Sequence, residues 1–565
     1  MSESTGVTLF LHGRVHADAG SAPAAGAHGA DGGLAVAGGR VLAVGPAADL
    51  REAFPRAHRV DLGGRPVFPG LVDAHVHLVA CGLRLLHVEL RGTRSIADAV
   101  RRLADAAARL PPDAWVLGRG WDKNIWVEDR FPTRADLDPL LPDRPVACTS
   151  KDGHLLWVNT AALRRAGITR ETPDPPGGAI GRGPDGAPDG LLKEEAGRLV
   201  RRAMPPPSAA MREAAIRVAT AEFHRLGLTG VHAFTGGGDE GAEQFAALQV
   251  LWARGDLALR TVATIPDHLL DAVVAAGLRT GFGDPLLRLG PVKIFADGTL
   301  GSQTAWMLEP FEGQPQNTGI VVRTPDELDA LVRRAVAAGV ATATHAIGDG
   351  AIRAVLDVLE RHAVASARAG VRHRIEHVQL LHRDDLPRLG RLGVVASMQP
   401  IHATADRDVA ERYWGSRARW AYAWQSLLQT GAVLAFGSDA PVETPDPWRG
   451  LFAAVTRRRE DEPGASPWVP DECLTLEQAL RAYTQGAAYA AGAERDWGRL
   501  APGCVADFIV LDRDPYGSAP DDLLRVQVLA TVVDGRVRYA AGPLAGLEGA
   551  PGAGAGAATR GGGDL

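Results

Sequence analysis

Residues 67–77 read VFPGLVDAHVH, a short apolar run that ends in two histidines one residue apart. β-Branched and aromatic residues around a Pro-Gly break predict a buried strand. Side chains alternate along a strand, so His75 and His77 point to one side and can grip one metal ion. Alone the pair carries little weight, because His-x-His also arises by chance on surfaces. Its meaning depends on the residues downstream.

Seven further runs of the same kind succeed it: LTGVHAF (228–234), LRTVATI (259–265), PVKIFAD (291–297), ATATHA (341–346), RHRIEHV (372–378), GVVASMQ (393–399) and AVLAFGSD (432–439). Helical stretches separate them, which predicts βαβ units and a parallel sheet. Eight such strands fit an α/β fold of the (β/α)8 TIM-barrel type, with an open sheet as the alternative that spacing alone leaves. In a barrel the C-terminal strand ends converge on one face, where barrel enzymes keep their active sites. Lys293, His345, His377 and Asp439 all stand at such ends. Lys293 is awkward as a core residue, because burying an unpartnered charge is expensive.

Outward from the barrel, residues 1–66 and 496–540 read as short strands with glycine turns, at Gly38-Gly39 and Asp534-Gly535. They predict one small β-sandwich built from both ends of the chain, or two separate terminal domains. The first barrel strand occupies residues 67–79 and the rest of the barrel 208–495. Residues 80–207 are too long for a βα loop and carry their own strands (AWVLGRG, PVACTS). They predict an insert that covers the barrel mouth. Residues 541–565 are Gly/Ala-rich and predict a disordered tail.

The 565-residue chain has a formal net charge of -6, which leaves no basic footprint for nucleic acid. No run of about 18 apolar residues is present to span a bilayer, and residues 1–19 lack the pattern of a secretory signal. The four cysteines, Cys81, Cys148, Cys473 and Cys504, form no Cys-x-x-Cys pair and predict reduced thiols. A soluble cytoplasmic protein is expected, with a homodimer as the default assembly.

The stretches FPGLVDAHVHL, VLGRGWD, SKDGHLLWVN, VKIFADGTLGS, THAIGD, RIEHVQL, SMQPIHATAD and FGSDAPVE together resemble the amidohydrolase superfamily. The resemblance is to the amidohydrolase-3 group, which includes N-substituted formamide deformylases. It implies a binuclear site, usually zinc, ligated by His75, His77, Lys293, His345, His377 and Asp439. An ammonium has no lone pair for a cation, whereas a neutral lysine can add carbon dioxide and become a bridging carbamate. Burial beside cations lowers a lysine pKa from its ordinary value of about 10.4, which makes the neutral form accessible. The expected cofactors are therefore two divalent ions and carbon dioxide for carboxylation of Lys293.

The implied chemistry is hydrolysis of a carbon-nitrogen bond other than a peptide bond. Metal ions lower the pKa of water from about 15.7 to about 7, and the resulting hydroxide attacks a polarised carbonyl. Asp439 is placed to take the hydroxide's proton and hand it to the leaving nitrogen. Trp121, His154, Asp297 and His402 are candidate substrate contacts, and Asp349 a candidate helix cap.

Tryptophans recur around the expected mouth (Trp121, Trp126, Trp157, Trp306, Trp414, Trp448), which suggests a small neutral amide with an apolar or aromatic nitrogen substituent. A charged N-acyl amino acid would instead direct attention to Arg119 or Arg374. Two other readings compete: a mononuclear deaminase, and a catalytically silent regulatory relative. The deaminase normally carries a glutamate three residues after the strand-five histidine, where this chain has Gly348. The silent relative is disfavoured because every expected ligand is present.

Overall fold

A computed structural model describes residues 6–18, 31–111, 114–151, 154–235 and 241–547. The chain divides into two compact units, Met1–Leu78 with Thr220–Leu565, and Val79–Ala219.

In the first unit, all eight expected strands form one parallel sheet. In order they are Leu71–Val76, Leu228–Ala233, Arg260–Pro266, Leu287–Phe295, Thr342–Ala346, Arg374–His377, Val395–Met398 and Leu434–Phe436. Nearly every residue in these strands is buried, as expected where both faces of a parallel sheet are covered. Just beyond the last strand, Asp439 N–H donates to the His75 carbonyl (2.7 Å), and His77 N–H donates to the Ala440 carbonyl (2.9 Å). These two bonds draw the last strand to the first and make a nearly closed barrel.

Closure depends on Gly437 and Asp73. A Cβ at Gly437 would lie 2.4 Å from the His75 nitrogen and 2.6 Å from Asp73 Oδ1, so only glycine permits this approach. Asp73, fully buried, accepts hydrogen bonds from the backbone N–H of His75 and of Ser438, both at 3.0 Å. The Ser438 hydroxyl donates to its other oxygen. Burial pushes the Asp73 pKa up to about 7 against those hydrogen bonds.

The terminal segments differ from the expected sandwich. They hydrogen-bond as one continuous seven-stranded sheet, in the order Arg536–Ala540, Val528–Val533, Phe508–Leu511, His58–Pro69, Thr8–Val15, Gly32–Ala37, Arg40–Pro46. The join between the chain's two ends is antiparallel, with Phe508 opposite Pro69 and Val510 opposite Val67. Both expected hairpins form. Gly38 and Gly39 (φ 55° and 74°) and Asp534 and Gly535 (φ 55° and 71°) take the positive φ values that two-residue turns of this hand require.

The sheet strand runs to Pro69, three residues past the expected boundary, and Gly70 alone separates it from the barrel. Six residues of the expected tail carry regular structure. Residues Gly542–Leu547 form a 3-10 turn whose Leu544 packs into the sheet's core, and residues 548–565 lie outside the described residues.

The second unit carries its own six-stranded sheet, which includes Val116–Trp121 and Val146–Ser150 as expected. Trp121, Trp126 and Trp157 sit together in its core. Cys148 and Cys504 are buried thiols and Cys473 a half-buried one.

Arg260 on the third barrel strand fastens barrel to sheet. It is buried and makes a two-pronged ion pair with Asp507, with one prong at 2.9 Å. It also donates to Asp534 (3.2 Å) and to the Pro285 carbonyl (3.0 Å). Removing one partner of such a pair strands the other charge, at a cost of about 3–5 kcal/mol. Arg260→Ala is therefore expected to lower unfolding stability by about that amount in urea titration. A loss below about 1 kcal/mol would show that Asp507 does not need this partner.

Candidate metal centre

Five of the six expected ligands owe their position to strand geometry, because each stands at or near the C-terminal end of a barrel strand. His75 lies in the first and His77 just beyond it, Lys293 lies in the fourth, His345 in the fifth and His377 ends the sixth. Asp439 follows the eighth. All six line one cavity of about 360 Å³. The ring centroids of His345 and His377 are 4.5 Å apart, those of His75 and His377 5.0 Å, and those of His75 and His77 5.7 Å. Candidate ligand atoms of His75, His377 and Asp439 all lie within 4.8 Å of one another.

Hydrogen bonds set which nitrogen of each ring offers a lone pair. His75 Nδ1 is 2.6 Å from Glu376 Oε2, His377 Nδ1 is 2.8 Å from Gln399 Oε1, and His345 Nε2 is 2.9 Å from the Gly298 carbonyl. A carboxylate or carbonyl oxygen can only accept, so each of these nitrogens carries the proton. The lone pairs are then on Nε2 of His75, Nε2 of His377 and Nδ1 of His345. Such partners orient metal-binding imidazoles and raise their basicity. Burial lowers the pKa of His75 to about 4 and of His345 to about 3, and pulls His377 well below its ordinary value. Near neutral pH the rings are uncharged, the form that binds a cation.

The donor set fits a cation. His75 Nε2 is buried with no hydrogen-bond partner. Asp439 Oδ1 lies 3.1 Å from His77 Nε2 and 3.5 Å from His75 Nε2, yet neither contact is directed as a hydrogen bond. Burial opposes ionisation of Asp439, but His77 and the neighbouring rings hold its carboxyl well below the usual range.

Beneath the expected ligands lies a charge network that was not singled out from the sequence. Arg374 and Glu376 are both buried and two residues apart, so they share one side of their strand. Arg374 Nε donates to Glu376 Oε1 (2.6 Å), and Arg374 also donates to the Ala74 carbonyl (2.7 Å) and the Ser397 hydroxyl. Its remaining nitrogen meets His232 Nδ1 at 2.6 Å. Burial would raise the Glu376 pKa, but Arg374 and His75 hold it far below the usual carboxylate range. Arg374 is therefore fully engaged under the centre and is not a reader of substrate charge. A signal for the network is present in RIEH, where a four-residue strand carries opposite charges two residues apart.

The four expected substrate contacts fare differently. His402 is buried and lines the cavity, with Nε2 3.9 Å from Asp439 Oδ2. Asp297 does not line it. Its carboxylate accepts the backbone N–H of Trp306 (3.0 Å), Ile347 (3.1 Å) and Gly348 (2.8 Å), so it braces a loop beside His345. Trp121 is a packing residue of the second unit: it is 1 % exposed, its indole donates to the Cys148 carbonyl, and its ring stacks on Trp126. His154 is exposed in that unit, with Nδ1 3.0 Å from Glu194. Arg119 pairs there with Glu89.

Trp414 and Trp448 are buried, and no described residue lining the cavity is a tryptophan. Asp349 is the first residue of its helix and not the cap. Its carboxylate accepts from Leu308 N–H (2.9 Å).

A family model described as the amidohydrolase family matches residues 59–539. The chain belongs to the amidohydrolase family. It is 32% identical to the N-substituted formamide deformylase of Arthrobacter pascens over 524 residues, 89% of this chain and 94% of that protein. It is 35% identical to the Arabidopsis thaliana protein LONG AFTER FAR-RED 3, covering 90% of this chain and 88% of that protein. The crystal structure of an uncharacterized metal-dependent hydrolase from Pyrococcus furiosus superposes with a TM-score of 0.70 at 30% identity, covering 90% of this chain and 99% of that one. This amidohydrolase is a metal-dependent hydrolase. Among the described residues, no helix is long and apolar enough to cross a membrane.

If Glu376 orients His75 for a cation, weakening that bond must weaken metal binding. Glu376→Gln is expected to reduce divalent metal affinity by about 10- to 100-fold, read by competition with a chelator. Unchanged affinity would mean that His75 is oriented without Glu376.

Proposed function

We propose that this amidohydrolase cleaves small non-peptide amides, N-substituted formamides among them. On this reading two divalent cations, zinc in the first instance, are held by His75, His77, Lys293, His345, His377 and Asp439. The observation that carries the reading is the cavity wall. The six donor residues share it with Phe295, Leu300, Ile347 and Val442 and with two carboxylates, Asp406, which accepts from the Tyr422 hydroxyl, and Glu443; none of the described lining residues is an arginine. Such a wall suits a neutral, partly apolar ligand and offers no fork for a carboxylate or phosphate. The apolar group on nitrogen is met by these aliphatic residues and Phe295, with no tryptophan involved.

Cations held there supply Lewis-acid chemistry, polarising a carbonyl and acidifying water. The protein's own groups do the rest. Lys293 Nζ lies 5.0 Å from the ring centroid of Phe234 and 4.7 Å from that of Phe295, and burial lowers its pKa to about 8. That favours the neutral amine, whose lone pair bonds to carbon dioxide with loss of a proton to give an anionic carbamate. His402, with both ring nitrogens unpartnered, donates a hydrogen bond to the substrate oxygen. Asp439 takes a proton from the attacking water and passes it to the leaving nitrogen.

The test is a panel of formyl and acetyl amides bearing benzyl, alkyl or carboxylate groups on nitrogen, run on metal-loaded protein. Neutral N-benzyl and N-alkyl amides should be the better substrates, and Asp439→Asn should lower kcat by about 10²–10⁴-fold. A clear preference for the N-carboxylates, or near-normal turnover by the variant, would contradict the reading.

A further inference from the structure

The strand that carries Arg374, Glu376 and His377 ends in two consecutive left-handed residues, His377 at φ 75° and Val378 at φ 45°. Left-handed backbone is uncommon for a residue with a Cβ, and a β-branched valine there is an outlier. Such backbone is strained and persists only where the surroundings enforce it. Here they do. Val378 N–H donates to the Ala346 carbonyl (3.2 Å), Leu380 N–H to the Ile347 carbonyl (3.0 Å), and the Gln379 carbonyl accepts from Tyr422 N–H (2.8 Å). Straight strand would send successive side chains to opposite sides, and residue 377 away from the side shared by Arg374 and Glu376. After the two turns both His377 and Gln379 line the cavity.

His377 has an assigned task at that wall. Gln379 has none so far. Its side chain is 4 % exposed, and its Oε1 has no hydrogen-bond partner among the described residues. An unpaired buried carbonyl oxygen is destabilising, so strained backbone here delivers a polar atom that a ligand donor would satisfy. Gln399 is no substitute, since its Oε1 is committed to His377 Nδ1. Beyond the expected metal ligands, His402 is the other buried side chain of this wall with unpartnered polar atoms.

We infer that Gln379 is a specificity-determining residue whose Oε1 accepts the N–H of the scissile amide, so that the substrates are secondary, N-monosubstituted amides. The inference rests on the amide reading above. With the substrate N–H held by Gln379 and its oxygen by His402, both polar atoms of one amide are engaged. As the carbonyl carbon becomes tetrahedral, the lone pair developing on nitrogen stays free to take its proton from Asp439. A tertiary amide presents an alkyl group to Oε1 and leaves it buried and unpaired. Sites that hydrogen-bond a substrate N–H reject analogues lacking it far more strongly than apolar pockets reject a change of size.

The experiment compares kcat/KM for N-benzylformamide and N-benzyl-N-methylformamide on metal-loaded wild-type protein and Gln379→Met, with metal content measured for both. The wild type is expected to favour the secondary amide by about ten- to hundredfold. In Gln379→Met the ratio should fall towards one through loss on the secondary amide, at unchanged metal content. Equal rates for the two amides in the wild type, or a ratio unaltered in Gln379→Met, would overturn the inference while leaving the amide reading standing. Hydrolysis of neither amide would overturn both. Should Gln379→Met not fold, the wild-type ratio alone decides.

Discussion

The candidate metal centre depends on the seam where the barrel's last strand meets its first. The Asp439 N–H bond to the His75 carbonyl and the His77 N–H bond to the Ala440 carbonyl join segments more than 360 residues apart. They also place three expected ligands beside one another before any side chain is considered. Asp73 reinforces the seam by accepting from both sides of it, and Gly437 allows the approach. Ligand placement is thus mainly a property of backbone hydrogen bonding, and rigid strands hold it more tightly than loops could.

Burial at that seam would be costly without pairing. Three carboxylates, Asp73, Glu376 and Asp439, lie in the same buried region as Arg374 and Lys293. Glu376 is matched by Arg374, and Asp73 is satisfied by backbone N–H groups and a hydroxyl. Asp439 and the unpartnered His75 Nε2 face the cavity instead. Buried polar groups that meet at a cavity wall without protein partners are donors that a cation would satisfy. The same logic singles out Gln379 and His402 as the groups left for substrate.

Much of this was legible in the sequence, for identifiable reasons. Strand alternation made His75 and His77 one unit, and the eight apolar runs located the barrel because parallel strands buried on both faces read as continuous hydrophobic segments. What stayed hidden was conformational or long-range. His377 and Asp439 adopt left-handed backbone (φ 75° and 57°), which no residue pattern announces for a histidine or an aspartate. Gln379 reaches the cavity only because of that turn. The pairing of Phe508 with Pro69 joins distant segments, so the two hairpins were readable but their single sheet was not. The tryptophans misled because composition records how many there are and not what they pack against. Trp121, Trp126 and Trp157 are held by one another.

The central claim, that the strand ends around this seam hold a divalent metal centre, is tested most directly by metal analysis. Wild-type protein and His75→Ala, purified after supply of excess divalent metal, would be compared for bound metal per folded chain. About two ions are expected in the wild type, since six donors exceed what one tetrahedral ion needs, and a clear loss in the variant. Fully active wild-type protein without bound metal, or equal metal content in the two proteins, would contradict it.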